Sequence, residues 1–241
     1  MGHYVRSRPG YPPGVLEVLR RETGLAPEHV VADVGSGTGI STLPFLENGN
    51  AVLAVEPNDE MRGAAEESLA AHPRFRSVAG TAEDTTLPDA GVDYVVAGQA
   101  FHWFDVPRAR AEFRRILRPG GWVVLLWNSR RVDSTPFLRA YEEMLVEHGT
   151  DYMRVNHQNI APEAIAAFYG GPHALRKVPN EQVFDLEGLR ARVLSSSYTP
   201  DEGHPGHAAM MRTLDRIFRE HAEDGVVRFE YDTEVWFGRL A

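Results

Sequence analysis

The sequence predicts an α/β fold built on a mostly parallel, doubly wound β-sheet. In the first half of the 241 residues, short apolar runs alternate with segments that carry apolar residues at helical spacing. Three glycines separated by small polar residues follow the first apolar run at once. The last apolar segment alternates strictly with polar and charged residues. Strand, helix and strand in series indicate right-handed βαβ units, and therefore parallel strands.

Five apolar runs in the first half predict strands that are covered on both faces of the sheet. They lie at 29–34, 51–55, 75–78, 92–97 and 122–127. Helices are expected between these strands, because residues that cap or open helices stand in the intervening segments. The expected helix starts are after Pro13, at Asn58 or Asp59, and at Asp105. We expect the helix that begins at Asp105 to end at the glycine pair 120–121.

The second half mixes further helices with two more strands. The helices are predicted from Thr135-Pro136, after Pro162, after the capping residue Asp185, and over 207–221. The strands are predicted over 177–184 and 227–237. Apolar side chains occupy one face of the last strand and mainly charged side chains occupy the other. This pattern predicts a half-exposed strand, antiparallel and at or near the edge of the sheet.

No linker divides the chain, and we therefore expect a single domain over 1–241. Within it, 1–130 would form the ligand-binding core. Residues 131–225 would form a helical cap and other additions on the substrate side, and 226–241 would contain the final strand.

The composition excludes several functional classes. The 25 basic and 34 acidic residues give a net charge of −9, which argues against a broad nucleic-acid surface. The absence of cysteine removes disulfides, cysteine-ligated zinc and cysteine nucleophiles, and the histidines show no metal-ligand spacing. The N-terminal segment lacks the apolar region of a signal peptide, and the run 122–127 is too short to span a bilayer. We expect a cytoplasmic protein that binds neither nucleic acid nor membranes.

The most informative segment is the glycine loop, residues 31–39. Three glycines follow the strand residue Asp33, at Gly35, Gly37 and Gly39. Glycines in such a loop adopt positive φ and let a ligand lie against bare backbone. Glu56 ends the second strand, where a carboxylate can accept both hydroxyl groups of a ribose. The sequence therefore predicts a nucleoside-containing ligand at the carboxyl ends of these strands.

The glycine spacing leaves two classes of ligand open. The dinucleotide fingerprint is G-x-G-x-x-G, and its third glycine would fall at Ile40. The D-x-G-x-G-x-G form at 33–39 instead resembles the first motif of class I S-adenosylmethionine-dependent methyltransferases.

Further motifs extend this resemblance over nearly the whole chain. They are Gly80-Thr81-Ala82-Glu83, Leu87-Pro88-Asp89, Ala100-Phe101-His102-Trp103-Phe104-Asp105 and Leu117-Arg118-Pro119-Gly120-Gly121. Together they resemble the type 11 branch of the class I enzymes. The segments 8–12, 197–198 and 231–235 are similar to the trans-aconitate methyltransferase group. The resemblance implies a Rossmann-like, seven-stranded sheet with a cap over the active site. It also implies S-adenosylmethionine as cofactor and S-adenosylhomocysteine as product.

The resemblance further implies which residues hold the cofactor. For the methionine part they are Arg8, Tyr11, Asp33, Gly35, Ser36, Gly37, Gly98 and Gln99. For the ribose and adenine they are Glu56, Pro57, Met61, Thr81, Ala82 and Glu83. Arg8 would pair with the methionine carboxylate, since a guanidinium binds a carboxylate through two parallel hydrogen bonds. Thr81 stands where many members of the family carry aspartate.

The ends of the fourth and fifth strands and two later segments supply candidates for an acceptor pocket. They are Phe101, Trp103, Trp127, Asn128, His157, Ser197 and Tyr198. His102 is the candidate general base, and we interpret it first as part of the pocket wall or of the packing at the helix start. Arg130 and Arg131 are interpreted as surface residues, with pairing to an acidic acceptor as the alternative.

The leading hypothesis is methyl transfer to a small-molecule acceptor, such as a carboxylate or hydroxyl oxygen. Two alternatives stay open, a non-catalytic protein that binds the cofactor or a partner, and an NAD-dependent oxidoreductase. The exit of the fourth strand lacks the Asn/Asp-Pro-Pro-aromatic pattern of enzymes that methylate adenine or glutamine nitrogen. Cysteine-dependent methylation of cytosine is excluded by the absence of cysteine. We expect a monomer or a homodimer.

Overall fold

A computed structural model describes residues 8–150, 152, 162–196 and 198–241. Its contacts divide the chain into two compact units. The larger unit comprises Gly10–Asn128, Ile160–Val178 and Thr233–Ala241, and the smaller unit comprises Met1–Pro9, Ser129–Asn159 and Pro179–Asp232. The sequence-based division into a core, a cap and a final strand stays a prediction.

Helices and strands alternate through the first half of the chain, as the sequence predicts. The helices are α1 (Gly14–Thr23), α2 (Thr42–Glu47), α3 (Asp59–Leu69), α4 (Val106–Ile116), α5 (Pro136–His148), α6 (Pro162–Tyr169), α7 (Leu186–Leu194) and α8 (His207–His221). The strands are β1 (Val30–Val34), β2 (Ala51–Val55), β3 (Phe75–Val78), β4 (Val92–Gly98), β5 (Leu117–Arg130), β6 (His173–Phe184) and β7 (Val227–Gly238). A single 3₁₀ turn, Phe101–Trp103, lies between β4 and α4.

The strands form one seven-stranded sheet in the order β3-β2-β1-β4-β5-β7-β6. The pairs β1–β2, β1–β4, β2–β3 and β4–β5 are all parallel, and the C-terminal strands are antiparallel. From β1 the chain adds β2 and β3 on one side, and β4 and β5 follow on the other side of β1. The strand order therefore reverses between β1 and β4, which is a topological switch point. Open α/β sheets bind ligands outside the carboxyl ends of strands at such a point. The predicted doubly wound fold with an antiparallel C-terminal strand is confirmed.

Four predicted helix starts are confirmed by their side-chain caps. In each case the side chain accepts a hydrogen bond from the backbone N–H three residues later. The capping residues are Asn58, Asp105, Thr135 and Asp185, and the donors are Met61, Arg108, Leu138 and Gly188.

Three predicted boundaries are wrong. Helix α4 ends at Ile116 rather than at the glycine pair, and β5 begins at Leu117 rather than at Trp122. The pairing of β4 with β5 then shifts register between Val92 and Tyr94, and residues 118–120 of β5 are exposed. The proline at 119 explains the early end of the helix, because a proline disfavours helical backbone at the residue before it. Strand β6 begins at His173, four residues earlier than its predicted start.

Apolar clusters cover both faces of the larger unit's part of the sheet. Ala32 and Val95 belong to one cluster, together with Phe113 of α4. Val31 and Val96 belong to the other, together with Leu19 of α1. Successive residues of β1 therefore face opposite layers, as the side-chain alternation of a strand requires. No helix in the described ranges is long and apolar enough to cross a membrane.

Candidate active site

The glycine loop follows β1 and leaves one stretch of backbone open. Gly35, Gly37 and Gly39 have φ of +71°, +56° and +88°, a region that favours glycine. A Cβ on Gly35 would lie 2.6 Å from the Cβ of Ala100, and one on Gly39 would lie 2.6 Å from Leu69 Cδ1. A Cβ on Gly37 would meet only the Sδ of Met61, at 4.0 Å. The outer glycines therefore allow close packing, and the middle glycine presents bare backbone.

Asp33 is fully buried at the end of β1. Its Oδ2 accepts hydrogen bonds from Ser41 Oγ at 2.8 Å and Thr42 Oγ1 at 2.6 Å. Its Oδ1 is buried and has no hydrogen-bond partner among the described residues. Burial raises the pKa of Asp33 to about 6, against the opposing effect of the two hydroxyl groups. A buried acceptor atom without a donor is costly, and a ligand group that donates to it would offset that cost.

Tyr11 and Gly98 come from two other segments of the chain and lie near Asp33. A Cβ on Gly98 would lie 2.7 Å from the hydroxyl oxygen of Tyr11 and 2.8 Å from Ser41 Cβ. Only glycine at this position permits so close an approach. Burial, and secondarily the charge of Asp33, raise the pKa of Tyr11, so its hydroxyl group stays protonated and can donate. The structure thus brings three predicted cofactor residues together.

Glu56 is buried just beyond the end of β2, and its carboxylate is bound on both sides. Oε2 accepts the backbone N–H of Gly37 at 2.9 Å, and Oε1 accepts that of Asn58 at 2.9 Å. Each carboxylate oxygen has a further lone pair, so these bonds leave room for ribose hydroxyl groups. Glu56 therefore orients the glycine loop as well as offering acceptors. Pro57 follows it on the surface, and Met61 lies on the first turn of α3.

The segment 80–89 follows β3 and is held in place by its own side chains. The Thr81 hydroxyl accepts the backbone N–H groups of Glu83 and Asp84, both at 3.2 Å, and thereby closes the turn. Ala82 is buried, and Glu83 Oε1 accepts the N–H of Asp105 at 2.8 Å. Burial alone would raise the pKa of Glu83, but the hydrogen bonds from Asp105 and Thr81 lower it below its ordinary value. Thr81 and Glu83 thus have structural partners in addition to their predicted adenine roles.

Glu112 is a buried residue near this segment that the sequence analysis missed. Its carboxylate accepts the backbone N–H of Thr85 at 2.8 Å and the Thr85 hydroxyl at 2.5 Å. Arg115 donates to both of its oxygens, at 2.8 and 2.7 Å, and also reaches the backbone oxygen of Leu87 at 2.8 Å. Burial opposes ionisation, yet these donors lower the pKa of Glu112 to about 2. A glutamate on the inward face of α4, beside Ala109 and Phe113, was the signal that could have revealed it.

Glu112→Gln is expected to lower the free energy of unfolding at pH 7 by about 2 to 4 kcal/mol, because the pKa falls from 4.5 to about 2 and one pKa unit corresponds to about 1.4 kcal/mol. The folded-state pKa lies below the ordinary value of 4.5, so this stabilisation is present above pH 4.5 and is lost as the pH falls towards 2. Urea unfolding of the variant and the unchanged protein measures the loss of unfolding free energy at pH 7 and its decrease at pH 3. Asp89→Asn removes a more exposed partner of Arg115 and should cost under about 1 kcal/mol. An equal loss for both variants would contradict the assignment.

The segment after β4 carries strain and an exposed aromatic pair. Gln99 has a φ of +54°, and its N–H donates to the backbone oxygen of Leu126 at 2.9 Å. Trp103 is 81% exposed, and its ring centroid lies 4.9 Å from that of His102. His102 is also exposed, although desolvation by neighbouring protein atoms lowers the pKa of its imidazole. Phe101, in contrast, is buried in the core.

Two further pocket candidates lie at the end of β5. Trp127 packs edge-on against Phe101 at 6.3 Å, and its Nε1 is buried without a hydrogen-bond partner among the described residues. Asn128 Nδ2 donates to the backbone oxygen of Gly10 at 3.2 Å, and its Oδ1 accepts the Thr233 hydroxyl at 2.5 Å. Asn128 thus ties the segment before α1 to β7.

The remaining candidates are not part of this arrangement in the larger unit. Arg8 is an exposed residue grouped with the smaller unit, as is Tyr198, whose ring lies 5.1 Å from that of Tyr152. His157 and Ser197 lie outside the described residues. No group of three His, Asp or Glu side chains in the described part of the chain is placed to hold a metal ion.

The part of the chain that carries the glycine loop is similar to known methyltransferases. The model of a methyltransferase domain family matches residues 32–125, from β1 through the glycine loop into β5. An uncharacterized methyltransferase of Mycobacterium tuberculosis is 42% identical over 130 residues, which are 54% of this chain and 51% of the relative. The segment 32–125 covers less than half of the chain, and it is similar to methyltransferase domains. The chain spans about half the length of the curated relatives that it matches.

Two further proteins are similar to this chain. A malonyl-[acyl-carrier protein] O-methyltransferase of Serratia marcescens is 33% identical over 112 residues, 45% of this chain and 43% of that protein. The solved structure of a proposed type II methyltransferase from Anaeromyxobacter dehalogenans has a TM-score of 0.64 at 24% identity. That similarity covers 97% of this chain and 98% of the other, and it concerns the fold. The narrower resemblance to the trans-aconitate group stays a prediction.

Proposed function

We propose that this protein is a class I methyltransferase that binds S-adenosylmethionine at the glycine loop and transfers its methyl group to a small-molecule acceptor. The observation that carries the proposal is the buried, unpartnered Oδ1 of Asp33, beside the open backbone of Gly37 and the carboxylate of Glu56. The methionine part of the cofactor carries an ammonium group, which donates hydrogen bonds. A cationic donor is the kind of group that a buried carboxylate at this position requires.

The residues around the loop fit the other parts of the cofactor. Glu56 keeps free lone pairs for the two ribose hydroxyl groups, and Gly37 offers backbone without a side chain. Pro57, Met61, Thr81, Ala82 and Glu83 are proposed for the adenine side. Tyr11, Gly35, Ser36, Gly98 and Gln99 are proposed for the methionine side. Because the backbone N–H of Gln99 is bound to Leu126, its backbone carbonyl group is the main-chain group left to face a ligand.

S-adenosylmethionine supplies an electrophilic methyl group on a positively charged sulfur atom. The chain's task is therefore to orient the acceptor and to exclude water, and orientation alone contributes about 7–11 kcal/mol in favourable cases. A general base is needed only where the acceptor must lose a proton, and its effect is roughly 10²–10⁴-fold. His102 is proposed for that role, since its lowered pKa keeps the imidazole neutral and able to accept a proton at pH 7. A carboxylate acceptor needs no base.

An oxygen acceptor on a small molecule is the substrate class that we propose. The Serratia marcescens relative is named as an O-methyltransferase, which supports methylation at oxygen. The net charge of −9 supports a small acceptor over a nucleic acid. We keep the prediction of a monomer or homodimer in the cytoplasm. A transfer assay with [methyl-³H]S-adenosylmethionine and a panel of carboxylic acids and phenols tests the acceptor class.

Glu56→Ala is expected to weaken S-adenosylhomocysteine binding about 10- to 150-fold, which corresponds to about 1.5–3 kcal/mol for hydrogen bonds to a charged group. The variant loses the acceptors for the ribose and the bond that orients Gly37. Isothermal titration calorimetry measures the change. The matched control is Glu66→Ala, an exposed position on α3, which should bind like the unchanged protein.

An unchanged affinity in Glu56→Ala would refute the role of Glu56 in ligand binding. Binding of NADH in place of S-adenosylhomocysteine would favour the oxidoreductase instead. Cofactor binding without transfer to any acceptor in the panel would favour the non-catalytic alternative.

A further inference from the structure

The smaller unit contains a largely buried arginine, Arg130. One of its nitrogen atoms has no hydrogen-bond acceptor among the described residues. Arg130, near the end of β5, is 14% exposed, and its Nη2 donates to Glu142 Oε2 at 2.5 Å and to the Tyr152 hydroxyl at 3.0 Å. Its Nη1 is removed from solvent and has no hydrogen-bond partner in the described part of the chain. The interpretation of Arg130 as a surface residue is wrong, because only 14% of its side chain is exposed.

The ion pair with Glu142 does not use Arg130's full capacity to donate. A guanidinium carries five N–H donors in a planar fork. Both oxygens of Glu142 lie 2.8 Å from the Tyr152 hydroxyl. The carboxylate is therefore held beside Nη2 of Arg130. The Nη1 group carries two N–H donors and has no hydrogen-bond acceptor among the described residues. Buried polar groups nearly always have a partner, and a ligand is one explanation for a gap.

Aromatic side chains fix the orientation of Arg130. Its guanidinium carbon lies 5.2 Å from the centre of the Tyr141 ring, a cation–π contact. Tyr141 in turn packs edge-on against Phe229 at 4.8 Å, and the guanidinium of Arg192 lies 5.6 Å from that ring. The cluster therefore combines a preorganised cation with apolar walls, which is how proteins select small organic anions.

We propose that the smaller unit binds a carboxylate through Nη1 of Arg130, with the rings of Tyr141 and Tyr152 beside it. A monoanionic carboxylate suits this position better than phosphate, because Glu142 lies on the other side of the same guanidinium and repels a dianion. The side chains of Arg130 and Glu142 are 14% and 22% exposed, so neither is wholly removed from solvent. This inference rests on the proposed function where it names the natural ligand, an acceptor that carries a carboxylate.

The test is a titration of the full chain, labelled with ring-¹³C tyrosine, at constant ionic strength. The probes are sodium acetate and sodium benzoate, with acetamide, benzamide and sodium phosphate as comparisons. We expect saturable shifts of the Tyr141 and Tyr152 resonances, assigned from single Tyr→Phe variants, with the two carboxylates only. An ordered water on Nη1 would give no saturation up to 200 mM carboxylate, and this result would overturn the proposal. Tighter binding of phosphate than of either carboxylate would also overturn it.

Variants of Arg130 test whether this residue binds the carboxylate. Arg130→Gln should weaken carboxylate binding at least tenfold, and Arg130→Lys should do the same while keeping a positive charge beside Glu142 for folding. Arg131→Gln is the matched control, since Arg131 is more exposed and pairs with Asp232 at 2.6 Å. Equal carboxylate binding by Arg130→Lys and the unchanged protein would contradict the proposal. Calorimetry with S-adenosylhomocysteine on the same samples tests the proposed function separately, since it does not use the carboxylate probes.

Discussion

Asp33→Asn is expected to stabilise the fold while it weakens cofactor binding. At pH 8 the free energy of unfolding should rise by about 1 to 3 kcal/mol, since the pKa shift from 3.8 to about 6 spans roughly two units of about 1.4 kcal/mol each. Asparagine keeps an oxygen that accepts from Ser41 and Thr42 but carries no buried charge. S-adenosylhomocysteine should bind about 10- to 100-fold more weakly, because a charged acceptor is lost.

The pH dependence of this gain follows from the direction of the shift. The folded-state pKa of Asp33 lies above its ordinary value, so the carboxylate costs stability once it ionises. The gain in Asp33→Asn should be complete above pH 6 and should vanish below pH 4, where the carboxyl group is protonated in both the folded and the unfolded protein. Urea unfolding between pH 4 and pH 8 measures it.

The matched control for Asp33→Asn is Asp201→Asn at an exposed position, which should change neither quantity. If Asp33→Asn bound S-adenosylhomocysteine normally, Asp33 would serve only to cap the glycine turn. If the variant were destabilised at pH 8, the ionised carboxylate of Asp33 would have more hydrogen-bond donors than the structure shows, and the predicted gain would be refuted.

Gly35→Ala is expected to cost about 2 to 5 kcal/mol of folding free energy and to abolish tight binding of S-adenosylhomocysteine. Two effects add. The positive φ of +71° costs an alanine about 1–2 kcal/mol, and overlap of the new Cβ with Ala100 Cβ, at 2.6 Å, costs about 1–3 kcal/mol. The loop relieves the overlap only by moving, which displaces the backbone of Gly37 from Glu56. Thermal unfolding and calorimetry measure the two losses.

A matched pair of variants separates strain from overlap. Gly24→Ala has nearly the same φ, +76°, but its Cβ would meet nothing within 4 Å, so it should cost only about 1–2 kcal/mol. Ala100→Gly in the Gly35→Ala background should restore the part that is due to overlap, since the two residues are in contact and their effects are not additive. Equal losses in Gly24→Ala and Gly35→Ala, with no recovery in the double variant, would contradict the packing argument.

The sequence was sufficient for the fold because the relevant signals are local. Short apolar runs predicted the parallel strands, and Asn58, Asp105, Thr135 and Asp185 predicted helix starts through single side chains. The wrong helix end at 120–121 arose because a proline effect at 119 acted before the glycine pair. Local signals thus predict where elements begin more reliably than where they end.

The site was only partly predictable, because its partners come from distant segments. The glycine spacing identified Asp33 and Glu56, but not the bonds from Glu56 to the loop or the free oxygen of Asp33. Glu112 holds a segment 27 residues away in sequence, and no local pattern encodes that partner. Phe101 stood at a strand exit, where a pocket wall is common, yet aromatic packing with Phe168 at 4.7 Å buries it in the core.

Calorimetric titration of the unchanged protein with S-adenosylhomocysteine tests the central claim most directly. The account predicts saturable binding to one site per chain, tighter at pH 7.5 than at pH 5, because Asp33 must be ionised to accept the ligand's ammonium group. An absence of binding at millimolar ligand would contradict the claim that the glycine loop holds this cofactor.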